Sequence, residues 1–180
     1  MPSQPQETRP PAGSRIAQRL AGAHFQDAWC IHTAQTGAPA LAYFLAAVAR
    51  TPRWIEWCMQ ARNRVGHIVG LKDLGTLSQI DPQRPASAYQ PGERVGVFTV
   101  LENRADEALI GDSDKHLNVV LSVHRAPVAG REDQVAITIT TVVHVHNLLG
   151  HLYMLPVAPM HRRIAPAVLA ALGRVQPAAA

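Results

Sequence analysis

Three histidines and one acidic residue recur at two-residue spacing in two segments, where their side chains could bind a metal ion. The segment TTVVHVHN contains His144 and His146, and the segment GDSDKHLN contains Asp114 and His116. If both segments are strands of one hairpin that turns near Gly130, His116 lies opposite His144 and Asp114 lies opposite His146. Imidazole and carboxylate groups in that arrangement are suitable ligands for zinc or another borderline metal.

The same histidines also have a simpler interpretation, because side chains alternate between the two faces of a strand. His144 and His146 alternate with Val143 and Val145. If the valines face the core, the histidines lie on the polar side of the sheet, where water or hydrogen bonds satisfy them. His-x-His alone is a weak signal for metal binding. We therefore expect no metal and no other cofactor. If a metal does bind, its expected ligands are Asp114, His116, His144 and His146.

The remaining reactive side chains belong to no recognisable catalytic motif. The chain has no Gly-x-Ser-x-Gly. Cys30 and Cys58 are far apart in the sequence, which favours free buried thiols over a redox pair. His161 opens the predicted C-terminal helix, where it either faces a pocket near Tyr153 and Met154 or is partly exposed. These residues leave open whether the protein is an enzyme.

The first half of the chain predicts one strand followed by two helices. HFQDAWCIHT (24–33) mixes aromatic and apolar residues and favours a strand. GAPALAYFLAAVAR (37–50) has apolar residues at helical spacing. Pro52 fits the first turn of a second helix, which carries Trp54 and Trp57. Residues 74–80 fit a short strand.

From Arg94 onward the pattern changes to the period of a strand. The segments RVGVFTVLE, EALIGD, KHLNVVLSVHR and QVAITITTVVHVHN predict four antiparallel strands, each with one apolar face. In the third of these, Leu117, Val119, Leu121 and Val123 lie on the apolar face. The opposite face is expected to meet water and carries His116, Asn118, Ser122 and His124.

After Pro156 and Pro159, apolar residues from Met160 to Leu172 recur at helical spacing. Pro166 is expected to kink this helix or to delay its start. A sheet with one apolar face needs a cover, and the last helix can supply it. The predicted fold is therefore α+β helix-grip: a curved antiparallel sheet wrapped around a C-terminal helix, with two short helices after the first strand.

Composition restricts the classes of protein to which the chain can belong. The net charge is +4, but the arginines are scattered and aromatic residues are scarce, which argues against nucleic-acid binding. No apolar run approaches the length of a membrane span, and the first residues do not resemble a signal peptide. We expect a cytoplasmic monomer or homodimer. Its parts are a disordered segment over 1–15, a single domain over 16–175, and a frayed tail over 176–180.

Several stretches resemble a known group of proteins. They are TPRWIEWCMQARNRVGHIVGLK, ERVGVFTV, GDSDKHLNVVLSV and TTVVHVHNLLGHLYMLPVAPMHRRI. The order of elements resembles the START-like, or SRPBCC, superfamily of helix-grip proteins. The stretches themselves resemble an uncharacterised bacterial domain-of-unknown-function family, some of whose members are fused to a short-chain-dehydrogenase-like domain. The superfamily resemblance implies a cavity between sheet and helix that holds a small apolar molecule, whereas the family implies no assigned reaction.

Three functions follow as expectations. The first is a binding module for a small apolar molecule. The second is an enzyme of the cyclase or hydratase type that uses pocket His and Tyr side chains. The third is an interaction module acting with a dehydrogenase-like partner. The residues expected to line the cavity are Trp54, Trp57, Phe98, Leu121, Val143, Tyr153, Met154, Met160 and His161.

Overall fold

The computed structural model describes residues 4–68 and 80–174. The tail expected to fray (176–180) and the short strand expected over 74–80, except for Ile80, lie outside these residues. Within them, one antiparallel sheet of seven strands has the order β1-β2-β7-β6-β5-β4-β3. The strands are β1 (Gln6–Glu7), β2 (Phe25–Thr33), β3 (Arg94–Val95), β4 (Phe98–Asn103), β5 (Glu107–Ser113), β6 (Leu117–Val128) and β7 (Arg131–Val145).

Three α-helices accompany the sheet in the described part of the chain: α1 (Ala40–Val48), α2 (Arg53–Ile68) and α3 (Leu148–Leu169). The helix α3 packs against β2 and β7, while α1 packs against β5 and β6. This arrangement confirms the predicted α+β helix-grip class, with two helices after the first long strand. None of the helices among the described residues is long and apolar enough to cross a membrane.

The C-terminal helix begins earlier than the sequence predicts. It starts after Asn147, whose side chain accepts a hydrogen bond from the backbone N–H of Gly150 (3.1 Å) and so caps the helix. Pro156, Pro159 and Pro166 all lie inside the helix. A proline leaves the carbonyl four residues earlier without its donor. Here those carbonyls belong to exposed residues at 152, 155 and 162, so water can bond to them and the helix continues.

The hairpin of β6 and β7 differs from prediction by two residues. Leu117 lies opposite Val145, and His144 lies opposite Asn118 instead of His116. The shift arises beside the turn, where the register is irregular after Pro127. Because the side-chain period is two, a two-residue shift changes every partner but leaves each side chain on its predicted face.

The two faces of the sheet are covered by different parts of the chain. On one face, the main core joins Leu121 and Ile139 of the sheet to Phe44 of α1 and Leu169 of α3. On the other face, a second cluster contains Ile16, Leu109, Val120 and Val142. We call the first the helix-facing side and the second the N-terminal side.

The N-terminal side was expected to meet water, and this expectation is wrong. Ser122 and Thr140 are fully buried there. A short 3₁₀ helix (Arg15–Arg19) lies over this face and inserts Ile16. The segment expected to be disordered over 1–15 also takes part in the fold, because β1 pairs with β2. Its polar composition concealed this role.

The loop before β3 is held by Glu93. The backbone N–H of Gln90 and the guanidinium of Arg84 each donate to its Oε2 at 2.6 Å. The hydrogen bond from Gln90 lowers the pKa of Glu93 from its ordinary value; desolvation opposes this effect and Arg84 adds to it. Asn103 donates from Nδ2 to the carbonyl of Tyr89 (2.9 Å), which fixes the loop against β4.

Candidate functional site

A carboxylate lies on the mostly apolar helix-facing side of the sheet. Asp27 is in β2, directly opposite Thr141 of β7. Its side chain is only 1% exposed. Alternation along β2 and β7 places it on the same side as Ile139 and Val143. A buried charge is costly unless it is paired or hydrogen-bonded, so the contacts of this carboxylate decide what the site can do.

The two oxygen atoms of the Asp27 carboxylate have different neighbours. Oδ2 accepts a hydrogen bond from the indole Nε1 of Trp29 (3.3 Å). Oδ1 is buried and accepts no hydrogen bond. It lies 3.4 Å from Nε2 of His161, which descends from the middle of α3. The same Nε2 is 3.0 Å from the hydroxyl oxygen of Thr141.

Aromatic rings flank this polar group. The ring of Phe25 meets the imidazole of His161 edge to face, with centroids 5.6 Å apart. The guanidinium carbon of Arg162 also lies over the Phe25 ring, 5.7 Å from the ring centroid. We call the set formed by Phe25, Asp27, Trp29, Thr141 and His161 the Asp27–His161 site.

The site has a buried side and an accessible side. Asp27 and Thr141 are buried beneath the helix, whereas the side chain of His161 is 24% exposed. No described residue forms a hydrogen bond with its second ring nitrogen, Nδ1. The tautomer with hydrogen on Nε2 directs a donor toward Thr141 and Asp27 and leaves a lone pair on Nδ1. A small molecule approaching from outside therefore meets the imidazole before the carboxylate.

The residues predicted to line a cavity separate into three groups. Leu121 and Val143 are buried on the helix-facing side, and His161 belongs to the Asp27–His161 site. Three of the predicted residues are half-buried: Phe98, Tyr153 and Met154. The ring of Phe98 contacts the ring of Phe44. Large exposed side chains are Trp57 (66% exposed), Trp54 and Met160.

A contact between α2 and α3 involves one of these predicted residues. Nε of Arg62 donates to the hydroxyl of Tyr153 at 2.9 Å, and its guanidinium carbon lies 5.4 Å from the ring centroid. This contact connects the helix that carries Trp54 and Trp57 to the helix that carries His161. The structure therefore places these residues on neighbouring helices, although it does not gather them into one cluster.

The four candidate metal ligands do not converge. Oδ1 of Asp114 accepts from the backbone N–H of His116 (2.7 Å) and so stabilises a turn. Nδ1 of His116 is 3.2 Å from Oδ1 of Asn147, and Nε2 of His144 bonds to the carbonyl of Ala21 (3.1 Å). Among the described residues, no group of three or more His, Cys, Asp or Glu side chains could hold a metal ion.

Sequence reasoning missed Asp27 and Thr141, although a signal was present. In HFQDAWCIHT, Asp27 falls in the same alternation as Phe25, Trp29 and Ile31. A lone acid on the apolar face of a strand indicates either a paired charge or a site. Thr141 occupies the equivalent position between Ile139 and Val143. His161 was predicted as a site residue, but it was placed at the start of the C-terminal helix. Pro156 and Pro159 suggested that the helix begins after them, whereas it begins at Leu148.

The protein is thus an α+β protein in which a C-terminal helix covers a polar site on an antiparallel sheet. Residues 19–168 match the family model described as Protein of unknown function (DUF2867), and the chain belongs to this family. No curated protein and no solved structure matches the sequence significantly.

Proposed function

We propose that the protein binds a small, mostly apolar molecule between the sheet and α3, at the Asp27–His161 site. The observation that supports this most directly is the buried carboxylate of Asp27, on the core side of the sheet, beneath a partly exposed histidine. Ligand sites are typically apolar walls with a few convergent polar groups. Phe25, Trp29 and Val143 supply such walls here, and His161 supplies the polar group that a ligand reaches.

The fold and the resemblance of the sequence support the same proposal. The helix-grip arrangement agrees with placement in the START-like superfamily, whose members hold apolar molecules between sheet and helix. In this proposal Leu121, Tyr153 and Met154 extend the wall away from His161. We assign the exposed side chains of Trp54, Trp57 and Met160 to the rim, where they would contact the ligand as it enters.

Binding can be measured with the neutral apolar dye N-phenylnaphthylamine, whose fluorescence rises in an apolar site. The protein has three tryptophans, so Trp54→Phe with Trp57→Phe leaves Trp29 as the single indole. Saturable dye fluorescence, together with energy transfer from Trp29, is the expected result. A folded protein that shows neither signal would refute the proposal.

Val143→Met is expected to weaken dye binding about tenfold, a loss of about 1.4 kcal/mol. The longer side chain fills space on the helix-facing side, and methionine adapts to irregular gaps. The matched control is Val142→Met, one residue along β7, because Val142 is buried on the N-terminal side. Both changes are expected to lower stability by about 1–3 kcal/mol, but only the first should change dye affinity. Equal effects on affinity would place the dye elsewhere.

The alternative of an interaction module, expected from the resemblance to act with a dehydrogenase-like partner, is supported only as a general protein-contact surface. Leu148, Leu152 and Leu155 recur on one side of α3 and are all largely exposed. Apolar side chains that form such a stripe are typical of protein contacts. If this alternative is correct, dye fluorescence should fall when Leu152 is changed to Ser and should be insensitive to Val143→Met.

A further inference from the structure

We propose that His161 is a general base that transfers protons within a bound apolar ketone, with Asp27 and Thr141 as positioning residues. This inference rests on the proposed binding function and assigns chemistry to the same site. It starts from the arrangement of the imidazole: one ring nitrogen faces two buried oxygen atoms, and the other faces away from them.

The carboxylate of Asp27 can only accept hydrogen bonds, so it favours the tautomer of His161 that has hydrogen on Nε2. With hydrogen on Nε2, the ring donates toward Oγ1 of Thr141 at 3.0 Å, and Oδ1 of Asp27 lies 3.4 Å away. Nδ1 then has an unshared electron pair. When Nδ1 takes a proton, the ring becomes a cation beside a carboxylate. A base that is oriented and stabilised by a third group is a recurrent arrangement in acid–base catalysis.

Glu107, which is also buried, has different partners from Asp27, and the comparison argues against a purely structural role for Asp27. Glu107 is buried on the N-terminal side, where its Oε1 accepts from the hydroxyls of Ser14 and Ser122, both at 2.5 Å. Its Oε2 accepts from the backbone N–H of Arg15 at 2.7 Å. Oδ1 of Asp27 instead has no hydrogen bond, and its polar neighbour is Nε2 of His161 at 3.4 Å. A buried acid that directs one oxygen at a partly exposed histidine, and not at structural donors, is a candidate for function.

The step needs only groups that are present in the site and the substrate. Nδ1 of His161 forms a bond to a hydrogen on the carbon next to the ketone carbonyl. The electron pair of the broken C–H bond forms the carbon–carbon double bond of an enolate, and the carbonyl π pair moves to oxygen. The imidazolium then either returns its proton to a different carbon of an extended enolate, or exchanges the Nδ1 proton with water and returns a solvent hydrogen to the same carbon. The net result is isomerisation, or exchange of that hydrogen with solvent, and no oxidant or reductant is consumed.

The test uses β-tetralone, an apolar ketone with acidic C–H groups, in heavy water. Proton NMR follows replacement of the hydrogens next to the carbonyl by deuterium. The protein is expected to accelerate this exchange over buffer. His161→Gln retains a donor toward Thr141 but lacks a basic nitrogen, and should reduce exchange to the buffer rate. His151→Gln, at an exposed position of the same helix, is the control and should exchange at the rate of the unchanged protein.

Two further variants test the positioning roles. Asp27→Asn keeps an acceptor for Trp29 but removes the charge, and is expected to slow exchange about 100-fold. Its melting temperature should stay the same or rise, because a buried charge is lost. Thr141→Val should slow exchange by a smaller factor. A large fall in melting temperature for Asp27→Asn with unchanged exchange would identify a structural carboxylate and overturn the assignment.

Displacement of N-phenylnaphthylamine by β-tetralone is measured on the same samples, which separates the two proposals. If the ketone displaces the dye but the protein does not accelerate exchange, the catalytic inference is wrong and the binding function stands. If His161→Gln accelerates exchange as well as the unchanged protein does, another group is the base and the inference is again wrong. If dye binding is absent as well, the binding proposal itself has failed.

Discussion

Replacing Glu107 with alanine is expected to lower the free energy of unfolding by about 3–5 kcal/mol, the summed cost of a few buried donors left without an acceptor. This glutamate is 2% exposed. Its carboxylate accepts hydrogen bonds from Ser14, Arg15 and Ser122, and a longer one from the N–H of Ile16 (3.4 Å). Removing it leaves several buried donors without an acceptor, and each costs about 1–3 kcal/mol when it cannot reach water.

Urea denaturation measures this change, and Glu132→Ala is the matched control because Glu132 is exposed in the hairpin. The control is expected to stay within about 0.5 kcal/mol of the unchanged protein. Glu107→Gln preserves the shape of the side chain and should cost less than Glu107→Ala. A loss below about 1 kcal/mol for Glu107→Ala would mean that water reaches these donors, and that the N-terminal side is open in solution.

Gly150→Ala is expected to lower the free energy of unfolding by about 2–3 kcal/mol, through overpacking. A Cβ atom on Gly150 would lie 2.4 Å from the carbonyl oxygen of His116 and 2.7 Å from Cγ1 of Val145. The first of these neighbours is backbone and cannot rotate away. The first turn of α3 must therefore move off the sheet, and the hydrogen bond between Asn147 and His116 is expected to break.

Gly37→Ala is the control for this second change, since nothing lies within 4 Å of a Cβ at that position. Thermal and urea unfolding should show a loss for Gly150→Ala and almost none for Gly37→Ala. Dye binding adds a second measurement, because a displaced α3 also carries His161 away from Thr141. Unchanged stability in Gly150→Ala would show that α3 does not approach β6 as closely as the structure places it.

The sequence predicted the fold wherever hydrophobic periodicity is strong. Alternation in KHLNVVLSVHR and QVAITITTVVHVHN assigned Leu121 and Val143 to the helix-facing side correctly, because one face of each strand is almost wholly apolar. Register was predicted less well. The register depends on a shift in strand pairing between Pro127 and Val128. The alternation of apolar and polar residues does not indicate where such a shift occurs.

The candidate site was predicted only in part, for a different reason. His161 was identified by residue type, whereas the site formed with Asp27 and Thr141 becomes visible only when β2 is brought beside β7 and α3, more than 100 residues later in the chain. The prediction that the N-terminal side of the sheet meets water was wrong, because composition cannot show which segment of the chain covers that side. Ser122 looked like a solvated residue, and Ser14, which donates to the same carboxylate oxygen of Glu107, lies in the stretch over 1–15 that looked disordered.

The cover over the N-terminal side has a practical consequence for anyone who shortens the chain to its family match. The match begins at residue 19 and ends at residue 168, so a protein cut to those limits lacks Ser14 and Ile16. It also lacks Leu169 and Leu172, which are fully buried in the main core. Such a fragment would expose the carboxylate of Glu107 on one side and an apolar surface on the other. It should elute as aggregates on size-exclusion chromatography, and the smallest independently folding unit should extend beyond the family match at both ends.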